Sequence, residues 1–117
     1  MPSPIDAAAF ANLLDMTGGD QAFVDELVDT YLEEGDNLVG ALGAAASAGS
    51  VEELVRPAHS LKSSSLNVGA LELGELCRVL EEEARGGSVA DPVARATAIG
   101  AAFGEAKAAL LAERAGR

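Results

Sequence analysis

Apolar residues recur along the whole chain at spacings of three, four and seven positions, in runs separated by short breaks that contain glycine. This period places apolar side chains on one face of an α-helix, and no stretch alternates as a half-buried β-strand does. The breaks divide the chain into five amphipathic helices. Because short loops join helices as antiparallel neighbours, the sequence predicts an all-α antiparallel bundle whose short first helix covers one end.

The predicted helix ends carry residues that can satisfy free backbone groups. Ser3, followed by Pro4, is predicted to cap the first helix, and Asp20 the second, which is predicted to run to about residue 48. Ser50 is predicted to start the third helix as part of a capping box. Gly69 is predicted to supply the left-handed residue that ends the third helix.

The apolar faces of the second, third and fourth helices are predicted to contribute to the core. The predicted core residues are Phe23, Leu27, Tyr31, Leu38 and Leu42 in the second helix, Leu54, Ala58, Leu61, Ser65 and Val68 in the third, and Leu73, Leu76, Cys77, Leu80 and Ala84 in the fourth. The run Glu81-Glu82-Glu83 is interpreted as a solvated face. No metal site is predicted, because one histidine and no cysteine pair argue against structural zinc.

The chain is strongly acidic, with a formal net charge of −11 and only eight lysine and arginine residues. Nucleic-acid binding requires clustered positive charge, so this balance argues against DNA or RNA as a partner, and also against an anionic membrane surface. The single cysteine cannot form an internal disulfide, and no apolar run nears 18 residues, so we expect neither a leader nor a membrane span. We expect a single cytoplasmic domain over residues 1–117 that functions as a monomer.

His59 is the only histidine of the chain and lies in the third predicted helix. At about 100° per residue it lies roughly 140° from Leu54 of the core face, so its side chain is predicted to point to solvent. Lys62 and Ser63 follow at i+3 and i+4, one turn further along the same side. The helix is therefore predicted to expose an imidazole beside a lysine and a small residue.

This arrangement suits phosphoryl transfer, with His59 and Lys62 as the predicted catalytic pair. A neutral imidazole nitrogen is a good nucleophile near neutral pH, and an ammonium one turn away can stabilise phosphoryl oxygens. Small side chains after the lysine would let a partner's active site approach closely, and apolar residues beside them could contact it. The predicted docking residues are Val55, Arg56, Ser63, Ser64 and Leu66.

The stretch from His59 to Ala70 resembles the motif of the histidine-containing phosphotransfer domain, the HPt family of two-component phosphorelays. That pattern is a histidine, an apolar residue, a lysine, a glycine and small residues, then Gly-Ala and an apolar helix. Here it stands as His59-Ser60-Leu61-Lys62-Ser63-Ser64-Ser65, followed by Gly69-Ala70. The segment from Gly18 to Glu34 is similar to the family's second helix, so the resemblance covers nearly the whole chain.

The resemblance implies a four-helix bundle with one extra N-terminal helix and a phosphoryl carrier without kinase activity of its own. His59 would accept a phosphoryl group from the phosphoaspartate of a response-regulator receiver domain, or exchange it with a hybrid histidine kinase, and pass it to another receiver. The Mg²⁺ that the transfer needs would belong to the receiver, so no cofactor is expected on this chain.

One residue departs from the family's pattern, because Ser63 stands where glycine is usual. Its Cβ and hydroxyl add bulk to the docking face, and we expect transfer to be retained with a narrower set of partners. An alternative function is a non-catalytic HPt-like adaptor that binds and sequesters a receiver or kinase partner. An autonomous kinase or phosphatase is disfavoured, since the chain has no glycine-rich nucleotide loop and no room for an ATP-binding domain.

Overall fold

The computed structural model describes residues 3–115, which form five α-helices. Helix α1 spans Ala7–Met16, α2 Gln21–Ser47, α3 Val51–Asn67, α4 Leu71–Arg85 and α5 Pro92–Ala115. The prediction of an all-α fold is confirmed, because these residues contain no β-strand. Within the described range, none of the helices combines the length and the apolar character that crossing a membrane requires.

Helices α2 to α5 form an antiparallel four-helix bundle, in which α3 packs between α2 and α4, and α5 packs against α2 and α4. Arg114 near the end of α5 pairs with Asp29 near the start of α2. Leu66 late in α3 likewise lies against Gly74 early in α4. The short α1 contacts α2 and α3. The pairing of α3 with α4 sets the register in which their side chains meet.

Side-chain caps begin α2 and α3 where the sequence predicts them. Asp20 and Ser50 each accept the backbone N–H of the residue three positions later. The prediction for α1 is wrong, because its N-cap is Asp6 rather than Ser3. The Asp6 backbone N–H donates to the carbonyl of Gly69 at 2.7 Å, which ties this segment to the turn between α3 and α4. The cap itself is local, because the Asp6 carboxylate accepts the backbone N–H of Ala9 at 2.8 Å, whereas the tie to Gly69 spans 63 positions and cannot be predicted from capping preferences.

The core lies between the four long helices, and the predicted core face of α3 is confirmed. Each of its five residues is at most 4% exposed, and the Ser65 hydroxyl is hydrogen-bonded to the Tyr31 hydroxyl of α2 at 2.8 Å. The prediction for α2 is wrong at its start, since Phe23 is 47% exposed whereas Val24 and Val28 are buried. The apolar stripe of α2 is therefore rotated by one residue in its first turns.

Helix α2 approaches α5 closely at Gly35. A Cβ at this position would overlap the ring of Phe103, which is buried and packs at 5.7 Å from the ring of Tyr31. The absence of a side chain on Gly35 thus lets an aromatic ring of α5 fill the space beside α2.

Candidate functional site

His59 lies near the middle of α3, on the side away from the core. Its neighbours Ala58 and Leu61 are fully buried, and their burial fixes the rotation of the helix about its axis. The His59 side chain is consequently 53% exposed. A fixed helix with an exposed imidazole is the geometry that a nucleophile needs in order to meet a reactive group on another molecule.

The imidazole of His59 is held by a carboxylate from the neighbouring helix. Its Nδ1 lies 2.9 Å from Oε2 of Glu81 in α4, and the Glu81 side chain is only 8% exposed. The two residues are 22 positions apart in sequence and meet because α3 and α4 are antiparallel neighbours. One ring nitrogen is therefore engaged inside the protein while the rest of the ring reaches solvent.

Two cations share the same carboxylate. The ammonium of Lys62 lies 2.8 Å from Oε1 of Glu81 and forms an ion pair with it. Arg85 places Nε and a terminal guanidinium nitrogen each 2.9 Å from Oε2. Glu81 thus links α3 to α4 and makes contact with His59, Lys62 and Arg85 together.

These contacts keep Glu81 ionised. The contact with Lys62, followed by the hydrogen bonds from Arg85 and His59, lowers the pKa of the Glu81 carboxyl from 4.5 to about 2, against the opposing effect of burial. An ionised carboxylate can only accept hydrogen bonds, so the proton of the contact resides on Nδ1 of His59. In the neutral ring, Nε2 then carries the free lone pair and can act as a nucleophile.

The prediction that Glu81 belongs to a solvated face is wrong, and Arg85 was not predicted as a site residue at all. Glu81 lies about 40° from Cys77 on a helical wheel, within the inner face of α4, and a carboxylate at such a position signals a buried pair. Arg85 follows Glu81 at i+4, the spacing of a helical ion pair. The neighbouring Glu82 is exposed, as predicted.

The predicted docking residues do not form one uniform patch. Arg56 and Ser63 are exposed, and Leu66 is 45% exposed. Val55 is half-buried and lines a shallow groove between α3 and α4 together with Arg85. On the other side of α3, Ser64 and Leu66 line a groove with residues of α1 and α2, among them Leu13, Met16 and Leu27.

The remaining predictions concern Gly69 and metal ions. Gly69 has a φ of +87°, and its backbone N–H donates to the carbonyl of Leu66 at 3.2 Å. A side chain here would be strained and would also crowd the backbone of Asp6. Across residues 3–115, no three histidine, cysteine or carboxylate side chains lie close enough together to hold a metal ion.

The fold and the site together define an antiparallel helical bundle that presents one histidine whose Nδ1 is bound to a buried carboxylate. Comparisons with known proteins agree with this class. The sequence profile of the Hpt domain matches residues 26–113. The crystal structure of histidine-containing phosphotransfer protein B (HptB) from Pseudomonas aeruginosa PAO1 superimposes with a TM-score of 0.88 at 27% sequence identity.

That alignment covers 100% of this chain and 99% of the HptB chain. A comparison with curated protein sequences gives no match. Because the Hpt profile matches most of the sequence, this chain belongs to the Hpt domain family.

Proposed function

We propose that this chain is a histidine phosphotransfer protein that carries a phosphoryl group on Nε2 of His59. Its membership of the Hpt family supports histidine phosphotransfer in a phosphorelay as the function. The observation that supports the choice of atom is the 2.9 Å contact between Nδ1 and the ionised Glu81 carboxylate. This contact keeps the proton on Nδ1 and leaves the lone pair on Nε2.

The transfer then needs no proton movement at the histidine. The Nε2 lone pair attacks the phosphorus of an aspartyl phosphate, and the new N–P bond forms as the P–O bond to the aspartate breaks. The electron pair of the broken bond remains on the aspartate carboxylate. His59 now carries Nδ1–H and a phosphoryl group, so its ring is cationic, and the adjacent Glu81 carboxylate stabilises that charge. Transfer to the next aspartate reverses these steps.

Lys62 supplies positive charge next to the reacting phosphoryl group. It lies at i+3 from His59, on the same side of α3, and its side chain is 24% exposed. An ammonium is a compact point charge, and it stabilises phosphoryl oxygens most where surrounding protein limits access of water. The Lys62 ammonium is paired with Glu81 at 2.8 Å before transfer, and in this proposal it turns towards the phosphoryl oxygens while Glu81 stays at Nδ1.

The donors and acceptors in this proposal are receiver domains of response regulators or of a hybrid histidine kinase, and these bring the Mg²⁺ that the transfer uses. The exposed side chains of Arg56, Ser63 and Leu66 belong to the face that would meet them. The net charge of −11 argues against nucleic acid as a partner. We place the protein in the cytoplasm, as a monomer without kinase activity of its own.

The proposal is tested by phosphotransfer from a panel of phosphorylated receiver domains to the wild type and to His59→Gln. We expect acid-labile label on the wild type and none on the variant, since His59 is the only histidine. Circular dichroism spectra of the two proteins should agree, because the substituted side chain lies outside the core. Label that remains on His59→Gln would rule out His59 as the carrier.

The same panel separates a carrier from an adaptor. An adaptor would bind receivers, measured by titration calorimetry, while neither the wild type nor Ser63→Gly accepted label from any of them. Ser63→Gly belongs in the panel because it removes the Cβ that stands on the docking face. Binding without transfer in both proteins would overturn the carrier mechanism.

A further inference from the structure

The Glu81 carboxylate contacts two cations, Lys62 and Arg85, although one would balance its single negative charge. Lys62 lies at Oε1, whereas the guanidinium of Arg85 and Nδ1 of His59 both lie at Oε2. Glu81 and Arg85 are one turn apart on α4, and Lys62 belongs to α3. Movement of the Lys62 side chain can therefore leave the pair between Glu81 and Arg85 intact.

This redundancy matters when His59 becomes phosphorylated, a step that rests on the function proposed above. The phosphoryl group brings negative oxygens to the neighbourhood of Lys62, whose ammonium cannot pair fully with both the phosphoryl group and Glu81. If Lys62 were the only cation that balanced the charge of Glu81, its departure would leave a buried carboxylate without a lysine or arginine partner. Breaking a buried ion pair in this way is strongly unfavourable, so Lys62 would tend to remain at Glu81.

We propose that Arg85 is a positioning residue, a second counter-ion that holds the Glu81 carboxylate against His59 and so releases Lys62 to the phosphoryl group. The two nitrogens of Arg85 approach the oxygen that also accepts the His59 Nδ1–H, and this is the oxygen that must stay in place during transfer. Arg85 is itself 58% exposed, so its side chain reaches Glu81 from solvent without being part of the core.

The proposal predicts that the effect of Arg85 depends on the charge of Glu81. The experiment measures the rate at which phosphoramidate phosphorylates His59 in the wild type, Arg85→Ala, Glu81→Gln and the double variant. Phosphoramidate donates its phosphoryl group as its P–N bond breaks and ammonia leaves, and it is too small to use a docking surface. We expect Arg85→Ala to slow the wild-type rate by about 10-fold, but to change the Glu81→Gln rate by less than about 2-fold.

Two further variants sharpen the result. Arg85→Lys retains a cation at i+4 from Glu81 and should restore most of the rate. Arg78 lies on the same helix and pairs with Glu75 and Glu82 rather than with Glu81. Arg78→Ala changes the surface charge by the same amount as Arg85→Ala and should keep the wild-type rate. An equal loss from Arg85→Ala in the wild type and in Glu81→Gln would overturn the proposal, because Arg85 would then act without Glu81, on the phosphoryl donor directly. An unchanged rate in Arg85→Ala would also overturn it.

The position of the ring is read separately by ¹⁵N-edited NMR, in which the one histidine gives one set of ring signals. The Nδ1–H form should predominate in the wild type and in Arg85→Lys, and Arg85→Ala should retain it less fully. Unchanged ring signals in Arg85→Ala would contradict a positioning role.

Failure of the proposed function is distinguishable from failure of this inference. If phosphoramidate labels His59 and no receiver does, the relay function fails while the four rates still decide the role of Arg85. If neither donor labels His59, both proposals are overturned.

Discussion

Two clusters of ion pairs link helices of the bundle, and they differ at their centres. Between α3 and α4 the central group is the carboxylate of Glu81, which is 8% exposed and touches the ring of His59. Between α5 and α2 the central group is the guanidinium of Arg114, which is 31% exposed. Its partners Asp25 and Asp29 are 35% and 63% exposed.

Burial and the identity of the central group lead us to propose that only the Glu81 cluster belongs to the transfer site. A carboxylate between cations and out of water stays ionised and can fix the proton on a histidine ring. Exposed ion pairs are screened by solvent and contribute little energy. We therefore interpret the Glu81 cluster as part of the transfer site and the Arg114 cluster as a weak tie between helices.

The largest expected difference between the clusters is in phosphotransfer. Glu81→Ala leaves Nδ1 of His59 without its acceptor, and the transfer rate should fall by roughly 10- to 100-fold, the range known for losing the outer partner of a metal-bound histidine. Arg114→Ala should transfer at the wild-type rate. Both transfer rates are measured with the same phosphorylated receiver domain as donor and with the two variants at equal concentrations. Equal rates for Glu81→Ala and Arg114→Ala would remove the distinction between the clusters.

Acid should weaken the Glu81 cluster within a defined pH range. Lys62, together with Arg85 and His59, lowers the pKa of Glu81 from 4.5 to about 2 in the folded protein. Between these values the unfolded chain binds a proton that the folded protein does not, so this stabilisation is present above about pH 4.5 and is lost as the pH falls towards 2.

Urea denaturation of the wild type and Glu81→Gln across this pH range measures the effect. The free energy of unfolding should fall less steeply with decreasing pH in Glu81→Gln than in the wild type. Glu82→Gln, which removes a charge from the exposed neighbour, is the matched comparison. The same slope in Glu81→Gln and the wild type would argue against an ion pair that is specific to the folded state.

Glycine substitutions compare the packing of the same two helix pairs. Gly35→Ala places a Cβ against the buried Phe103 ring between α2 and α5, and overpacking there should lower the free energy of unfolding by about 1–3 kcal/mol. Gly74→Ala meets Leu66 between α3 and α4, but Leu66 is 45% exposed and can turn away, so its cost should be close to zero after the gain in helix propensity. Chemical denaturation measures the free energy of unfolding of both variants. A lower value for Gly74→Ala than for Gly35→Ala would contradict this interpretation.

Arg114→Ala should have only a small effect on stability. Its ion pairs are partly exposed, so thermal unfolding should begin at a slightly lower temperature than in the wild type, with a smaller shift than in Gly35→Ala. The shift should shrink further at high salt, because exposed charges are screened. A shift in Arg114→Ala as large as that in Gly35→Ala would show that the second cluster is more than a weak tie.

The sequence by itself determined the class of fold and the outward position of the histidine. Periodicity identified all five helices, and the wheel of α3 predicted both its buried residues and the exposure of His59. The same wheel placed Lys62 on the histidine's side of the helix. These features depend on the 3.6-residue period of one helix, and that period is a property of neighbouring residues alone.

Only the tertiary structure decided what the imidazole of His59 binds. Glu81 comes from another helix 22 residues away, and the antiparallel register of α3 and α4 brings it to Nδ1 together with Arg85. Tertiary packing also decided that Phe23 faces solvent while Val24 and Val28 are buried. Local sequence patterns do not report the rotation and register of one helix against another, since these arise when the whole core packs at once.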